Sequence, residues 1–185
     1  MTWVINMISG PGSGKSTLAA ELFVYMKKRN YKVEYLQEYA KKLVWTKQFH
    51  MLDNQHIVSY KYFTEIKSMY DCDEVDFVIL DSSLLNGIYY NRYNPNNLSN
   101  VEKTEAMIIK YYNNFQNFNV FVNRGDDYKY ENAGRIQNEE ESIVIDKYLK
   151  NTLEKIDIKL NFIKINIKTN EAVENLYKLI KNLKI

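Results

Sequence analysis

Nine residues near the amino terminus, Ser9-Gly10-Pro11-Gly12-Ser13-Gly14-Lys15-Ser16-Thr17, constrain this chain more than any other segment. Three of its six glycines stand there at alternating positions. An apolar run, Trp3 to Ile8, precedes the segment, and Leu18, Leu22 and Met26 follow it at helical spacing. A buried strand, a glycine-rich turn and a helix in direct succession leave few architectures open. Side chains in such a turn would obstruct backbone N–H groups that must converge on an anion, and the helix start adds favourable positive potential.

The rest of the chain repeats this alternation. Strands are expected at Lys32–Leu36, Asp76–Leu80, Asn119–Asn123 and Asn161–Ile167. Helices are expected at Lys15–Lys28, at about Asp53–Met69 with Asp53 as N-cap, and at Glu102–Asn114, Glu139–Lys155 and Glu171 to about Leu183, the last capped by Thr169. Apolar strands alternating with amphipathic helices predict an α/β fold with a mostly parallel sheet flanked by helices in three layers. No Pro/Gly/Ser linker divides the 185 residues, so one domain spanning 1–185 is expected. Residues 89–100 and 125–138 lack a clear period. Long aperiodic stretches are commonly functional, and 125–138 reads as a small lid.

Composition narrows the partners. The net charge is +2, with both signs interspersed, which disfavours a broad basic surface for duplex DNA. The single cysteine, Cys72, precludes an internal disulfide and fits a reducing compartment. No run approaches the ~18 apolar residues of a membrane span, and the apolar amino terminus lacks the basic start of a signal peptide. A cytoplasmic location, the host cytoplasm if this is a phage protein, is therefore expected, without a membrane partner. His50 and His56 lack acidic or cysteine neighbours at metal spacing and read as structural.

In this context Gly10, Pro11, Gly12, Ser13, Gly14, Lys15, Ser16 and Thr17 read as a P-loop for ATP and Mg²⁺. Lys15 is assigned to the β- and γ-phosphates, Ser16 to the metal and Thr17 to the α-phosphate. Ser9 replaces the glycine that usually opens the motif. A second carboxylate on the metal side belongs at the end of a neighbouring strand, and Asp81, after Asp76-Phe-Val-Ile-Leu80, meets that requirement directly or through water. A helix-capping role is its alternative. No glutamate follows Asp81, which favours a small-molecule kinase over an ATP-driven motor.

A kinase also needs a base beside the acceptor hydroxyl. Glu38 closes the second strand on the rim where strand carboxyl ends meet the ligand, with Asp81 in reserve. Its alternative is a helix cap. Four arginines exist: Arg29 reads as solvated, while Arg124 and Arg135 are candidates to cover the phosphates, and Arg92 to contact substrate. Tyr39, Trp45, Tyr89 and Tyr90 are candidates to stack on a base, against the commoner role of aromatics in the core.

These segments resemble bacteriophage P-loop kinases, a group that includes 5-hydroxymethyluracil DNA kinases. The resemblance rests on Gly10 to Leu22, on Glu38-Tyr39-Ala40-Lys41-Lys42-Leu43-Val44-Trp45, on Asp53-Asn54-Gln55, on Ile79 to Leu85, and on Gly134 to Glu141, in order along nearly the whole chain. A more distant similarity is to the ribosylnicotinamide kinase domain of the bacterial NAD regulator. Both groups phosphorylate a primary alcohol on a nucleoside-like compound. The resemblance therefore implies a nucleoside/nucleotide kinase-like P-loop NTPase fold and an acceptor that is a nucleoside, a nucleotide or a modified DNA base. The alternative from the residues is an NTPase or nucleotide switch with no small-molecule acceptor. Oligomeric state is left open by the sequence.

Overall fold

A computed structural model of the chain describes residues 2–126, 129–131, 133, 135–166 and 169–183. Five parallel strands form one sheet: β1 (Trp3–Ile8), β2 (Val33–Leu36), β3 (Phe77–Leu80), β4 (Gln116–Asn123) and β5 (Asn161–Lys164), in the spatial order β2-β3-β1-β4-β5. Seven α-helices are assigned among the described residues: α1 (Lys15–Lys27), α2 (Tyr39–Trp45), α3 (Gln55–Tyr70), α4 (Gly87–Tyr93), α5 (Val101–Tyr112), α6 (Glu139–Lys155) and α7 (Glu171–Ile180). This is the parallel α/β sheet flanked by helices in three layers that the alternating pattern predicts, with the P-loop NTPase kinase fold that the resemblance implies.

Strand alternation builds the layers. Ile5 and Met7 of β1 point to one face and pack with Leu18, Leu22 and Met26 of α1 and Val173, Leu176 and Ile180 of α7. Ile8 points to the other face, toward Ile108 of α5 and Ile145 and Leu149 of α6. Val4 joins Tyr62 and Ile66 of α3 on that side. The central strands are apolar on both faces because helices cover both.

Element ends depart from the sequence reading in physically simple ways. Asn54, not Asp53, caps α3, its side chain accepting the Ile57 N–H at 3.1 Å; Asp53 instead ends a short 3₁₀ turn, Phe49–Asp53. Residues 89–100 are not aperiodic throughout. A 3₁₀ turn, Leu84–Asn86, runs into α4, whose Ile88 is buried in the core. Seven residues are too few for a helical period to show, and the many asparagines there read locally as loop. β4 starts three residues before the expected Asn119, because Gln116, Asn117 and Phe118 pair with Trp3, Val4 and Ile5. The N-cap position of α7 is Asn170, while Thr169 Oγ1 accepts the Glu171 N–H at 3.4 Å. Ile167 of the expected last strand lies outside the described residues.

β1 occupies the middle of the sheet. Chain connections leave it toward β2 and β3 on one side and β4 and β5 on the other. The loop after β1 therefore opens at the point where strand order reverses, which is where open α/β sheets bind ligands.

Candidate active site

The turn between β1 and α1 has the backbone expected of an anion cradle. Gly12 and Gly14 adopt positive φ, 73° and 93°. The positive φ favours glycine at position 14, and a Cβ there would stand 2.5 Å from Ile165 Cδ1, so that side chain would have to shift. Ser9, the unusual first residue, is buried, and its hydroxyl hydrogen-bonds the Ser13 hydroxyl at 2.5 Å. Serine thus fits the position by tying the two ends of the turn together.

Lys15 is buried and donates to the Gly10 carbonyl at 2.7 Å. Burial lowers its pKa from 10.5 to about 8, against the raising effect of Glu38, Asp146 and Asp81; Arg124 lowers it further. An incoming anion would stabilise the charged form.

Asp81 ends β3 and is 1% exposed. Its Oδ2 accepts from Ser16 Oγ at 2.9 Å and from the Tyr35 hydroxyl at 3.1 Å, and its Oδ1 accepts the Glu38 backbone N–H at 2.9 Å. Lys41 Nζ lies 3.7 Å from Oδ2 and donates to Ser16 Oγ at 3.0 Å. The hydroxyl and carboxylate form an all-oxygen pair suited to a hard divalent cation such as Mg²⁺. No cluster of three or more His, Cys, Asp or Glu suited to a metal occurs among the described residues. A cation held by Ser16 and Asp81 would therefore complete its shell with phosphate and water oxygens, the usual habit of Mg²⁺.

Glu38 occupies the N-cap position of α2 without a side-chain capping bond. Its carboxyl pKa is raised by burial and by the Asp81 charge, with Lys15, a hydrogen bond from Ser82 and Lys41 opposing. A carboxylate so placed is free to accept a proton. Glu38, Lys15, Ser16, Thr17 and Asp81 all line one cavity of about 1150 Å³. The same cavity extends past Gln55, Tyr62, Asn86 and Tyr90 to a rim that includes Trp45, which is 59% exposed. Tyr62 donates to the Ser82 carbonyl at 2.7 Å, and burial, with nearby carboxylates, keeps the Tyr62 and Tyr90 phenols protonated.

The remaining candidates divide. Arg135 lines the cavity, its guanidinium over the Tyr130 ring at 5.3 Å and 4.0 Å from Glu131; its Nη1 is buried with no hydrogen-bond partner among the described residues. Arg124 does not reach over the cavity. It lies behind the P-loop, where Nη1 and Nη2 each donate to the Pro11 carbonyl at 3.2 Å and Nε donates to Asp146 at 3.0 Å. Arg92 is not among the cavity-lining residues either: its fork closes on Glu105 of α5 at 2.7 and 2.6 Å. Tyr39 packs against the core cluster that includes Tyr62, Ile66 and Leu80 and is not among the cavity-lining residues, whereas Tyr89 and Tyr90 line the cavity. In the expected lid, Asp127, Tyr128, Asn132 and Gly134 lie outside the described residues.

Four contributors escaped the sequence reading. Asp146 Oδ1 accepts the Gly10 N–H at 2.5 Å, and Ser142, one turn earlier on α6, donates to the Pro11 carbonyl. Nothing local in α6 indicates which face meets the P-loop. Lys41 was legible in principle, since i and i+3 share a helix face and Glu38 stands three residues before it. Tyr35, inside a strand, carried no signal.

The fold is similar to several solved structures. NadR, in complex with NAD and AMP-PNP, matches with a TM-score of 0.71 at 13% identity over 100% of this chain and 51% of that chain, so this chain spans about half of that protein's length. A deoxyadenosine kinase from M. mycoides with dCMP and a flexible dCDP bound matches with a TM-score of 0.51 at 18% identity, covering 99% of this chain and 100% of that one. Thymidylate kinase from Ehrlichia chaffeensis matches with a TM-score of 0.53 at 13% identity, covering 97% and 98%. At such identities the likeness establishes the fold alone. No curated protein matches the chain in sequence. No helix among the described residues is long and apolar enough to cross a membrane. The family described as AAA domain matches residues 4–171, nearly the whole chain, and the protein therefore belongs to the AAA domain family of P-loop proteins.

Proposed function

We propose that the protein is a kinase that transfers the γ-phosphoryl group of ATP to a primary hydroxyl of a nucleoside, a nucleotide or a hydroxymethylated pyrimidine in DNA. The carrying observation is that Glu38 lines the same cavity as Lys15, Ser16 and Asp81, and that Gln55, Asn86, Tyr90 and Trp45 line it too. A cavity of about 1150 Å³ with aromatic and amide side chains beside the P-loop has room for an acceptor as well as a nucleotide, which favours transfer over simple hydrolysis.

In this reading Glu38 takes the proton as the acceptor oxygen forms its bond to the γ-phosphorus. The bond from that phosphorus to the β–γ bridging oxygen breaks, and ADP leaves. Lys15 and the P-loop N–H groups hold the β- and γ-phosphates. A divalent cation held through Ser16 and Asp81 would neutralise charge on the same oxygens. Arg135 lines the cavity from the 125–138 segment, which acts as the lid, and its Nη1 has no hydrogen-bond partner among the described residues. Trp45 stacks on the acceptor's base.

The test is incubation with γ-labelled ATP and a panel of nucleosides, nicotinamide riboside, deoxynucleoside monophosphates and hydroxymethyluracil DNA. Label on one acceptor class identifies the substrate. Hydrolysis without transfer to any of them would replace this reading with a nucleotide switch.

A further inference from the structure

The cation at the metal pair is already supplied by the protein. Asp81 presents two oxygens to four donors: Glu38 N–H on Oδ1, and Ser16, Tyr35 and Lys41 on the side of Oδ2. A carboxylate oxygen has two lone-pair directions, and Ser16 and Tyr35 use both. Lys41 therefore meets Asp81 as a charge at 3.7 Å and makes its hydrogen bond to Ser16 Oγ instead, at 3.0 Å. Its ammonium contacts both oxygens that would face a divalent cation. Two cations sharing one hydroxyl and one buried carboxylate repel each other, although Lys41 is partly exposed to solvent.

We propose that Lys41 is the resident counter-cation of the Ser16–Asp81 pair and that a divalent metal loads only by displacing it. Lys41 lies one turn along α2 from Glu38, whose backbone N–H is bonded to the same carboxylate. Displacing the ammonium loosens the second of two ties between α2 and Asp81, so metal loading is coupled to the helix that carries the base. The displaced ammonium remains beside the cavity, which it lines, and is available to phosphate oxygens there. Lys41 is thus a positioning residue, acting through the metal pair and through α2. The proposal rests on the nucleotide-site reading above and is independent of the acceptor.

Direct Mn²⁺ binding, followed by electron paramagnetic resonance on the nucleotide-free protein, tests it without turnover. Lys41→Met keeps the length of the side chain and removes its charge. Its Mn²⁺ affinity is expected to rise on the order of ten-fold over wild type. Lys41→Arg, which keeps the charge, should bind Mn²⁺ as weakly as wild type. Metal-free ATP binding, read by calorimetry in EDTA, should weaken in Lys41→Met and not in Lys41→Arg. Unchanged or weaker Mn²⁺ binding in Lys41→Met overturns the proposal, as does an equal rise in Lys41→Arg, which would indicate space and not charge. Lys41→Gln provides the same charge comparison if the methionine variant is poorly folded. A failure of the acceptor panel would leave these binding results readable, so the two readings fail separately.

Discussion

The Gly10 backbone N–H donates to Asp146 Oδ1 at 2.5 Å, across 136 residues of chain. The other carboxylate oxygen of Asp146 takes Arg124 Nε at 3.0 Å and Nη2 at 2.9 Å, and Arg124 in turn holds the Pro11 carbonyl. A Cβ on Gly10 would overlap the Ser142 backbone carbonyl oxygen, so α6 lies directly against the loop. Arg124, Asp146 and Ser142 therefore brace the rear of the P-loop, and Arg124 is not among the residues that line the cavity. Asp146→Ala should destabilise the fold by about 2–3 kcal/mol, less than for a fully buried pair because both partners retain some exposure. It should also weaken ATP binding on the order of ten-fold, because the loop amides lose their preset geometry. Urea melts and calorimetric titration measure both; unaltered ATP affinity would show that the brace is dispensable for the cradle.

Glu38→Gln should keep ATP affinity near wild type and lose about 10²–10⁴-fold of phosphoryl transfer. The pH profile gives a second readout. Burial and Asp81 raise the Glu38 pKa, and a base works only when deprotonated, so transfer should fall off at a pH above the ordinary carboxylate range as the solution is acidified. Near-normal turnover in Glu38→Gln would hand the role to Asp81 or to water.

Lys15 carries its positive charge at a cost in the unliganded fold. Its folded pKa, about 8, lies below the ordinary lysine value of 10.5, so the penalty is fully present below about pH 8 and vanishes as the pH rises toward 10.5. Lys15→Met should therefore be more stable than wild type at pH 7, by about 2–3 kcal/mol, with the advantage fading above pH 8. It should bind ATP very poorly. Phosphates raise the lysine pKa, so ATP binding to wild type at pH 8 should take up about half a proton. Titrations in buffers of differing ionisation enthalpy measure this, and zero uptake would contradict the assignment.

Trp45 is exposed at the cavity rim, whereas Trp3 is only partly buried against the core at the start of β1. Acceptor binding should quench or blue-shift Trp45 emission, and Trp45→Phe should remove that signal. Trp45→Ala should raise KM for the acceptor by about 5- to 150-fold and leave KM for ATP unchanged, a loss of about 1–3 kcal/mol of stacking. An equal effect on both substrates would place the residue in general folding of α2.

Gly14→Ala tests the cradle's backbone. The positive φ costs an L-residue roughly 1–2 kcal/mol, and Ile165 must also yield. ATP affinity should fall by more than ten-fold, with thermal stability reduced; full affinity in the variant would mean that the loop tolerates a different course.

How far the sequence reached depends on the range of the interactions. The strand–turn–helix unit from Trp3 to Lys27 was fully legible because hydrophobic period, glycine pattern and helix start are properties of neighbours. Asp81 and Glu38 were legible for a related reason: in a parallel sheet the residue after an apolar strand must stand on the ligand rim, whatever the strand order. α6 was predicted to the residue, its start fixed by the Asn138 and Glu141 capping box. Tertiary structure alone decided where the long cations point. Arg92, Arg124 and Arg135 lie in or beside loop-like sequence, yet Glu105 takes the first, Asp146 and Pro11 take the second, and only the third faces the cavity. A long flexible side chain goes to whichever buried or oriented acceptor the packing brings within reach, and those acceptors lie up to 113 residues away. The sequence by itself determined which residues stand on the rim; the packing of α2 and α6 beside Asp81 and the P-loop decided which charges meet there.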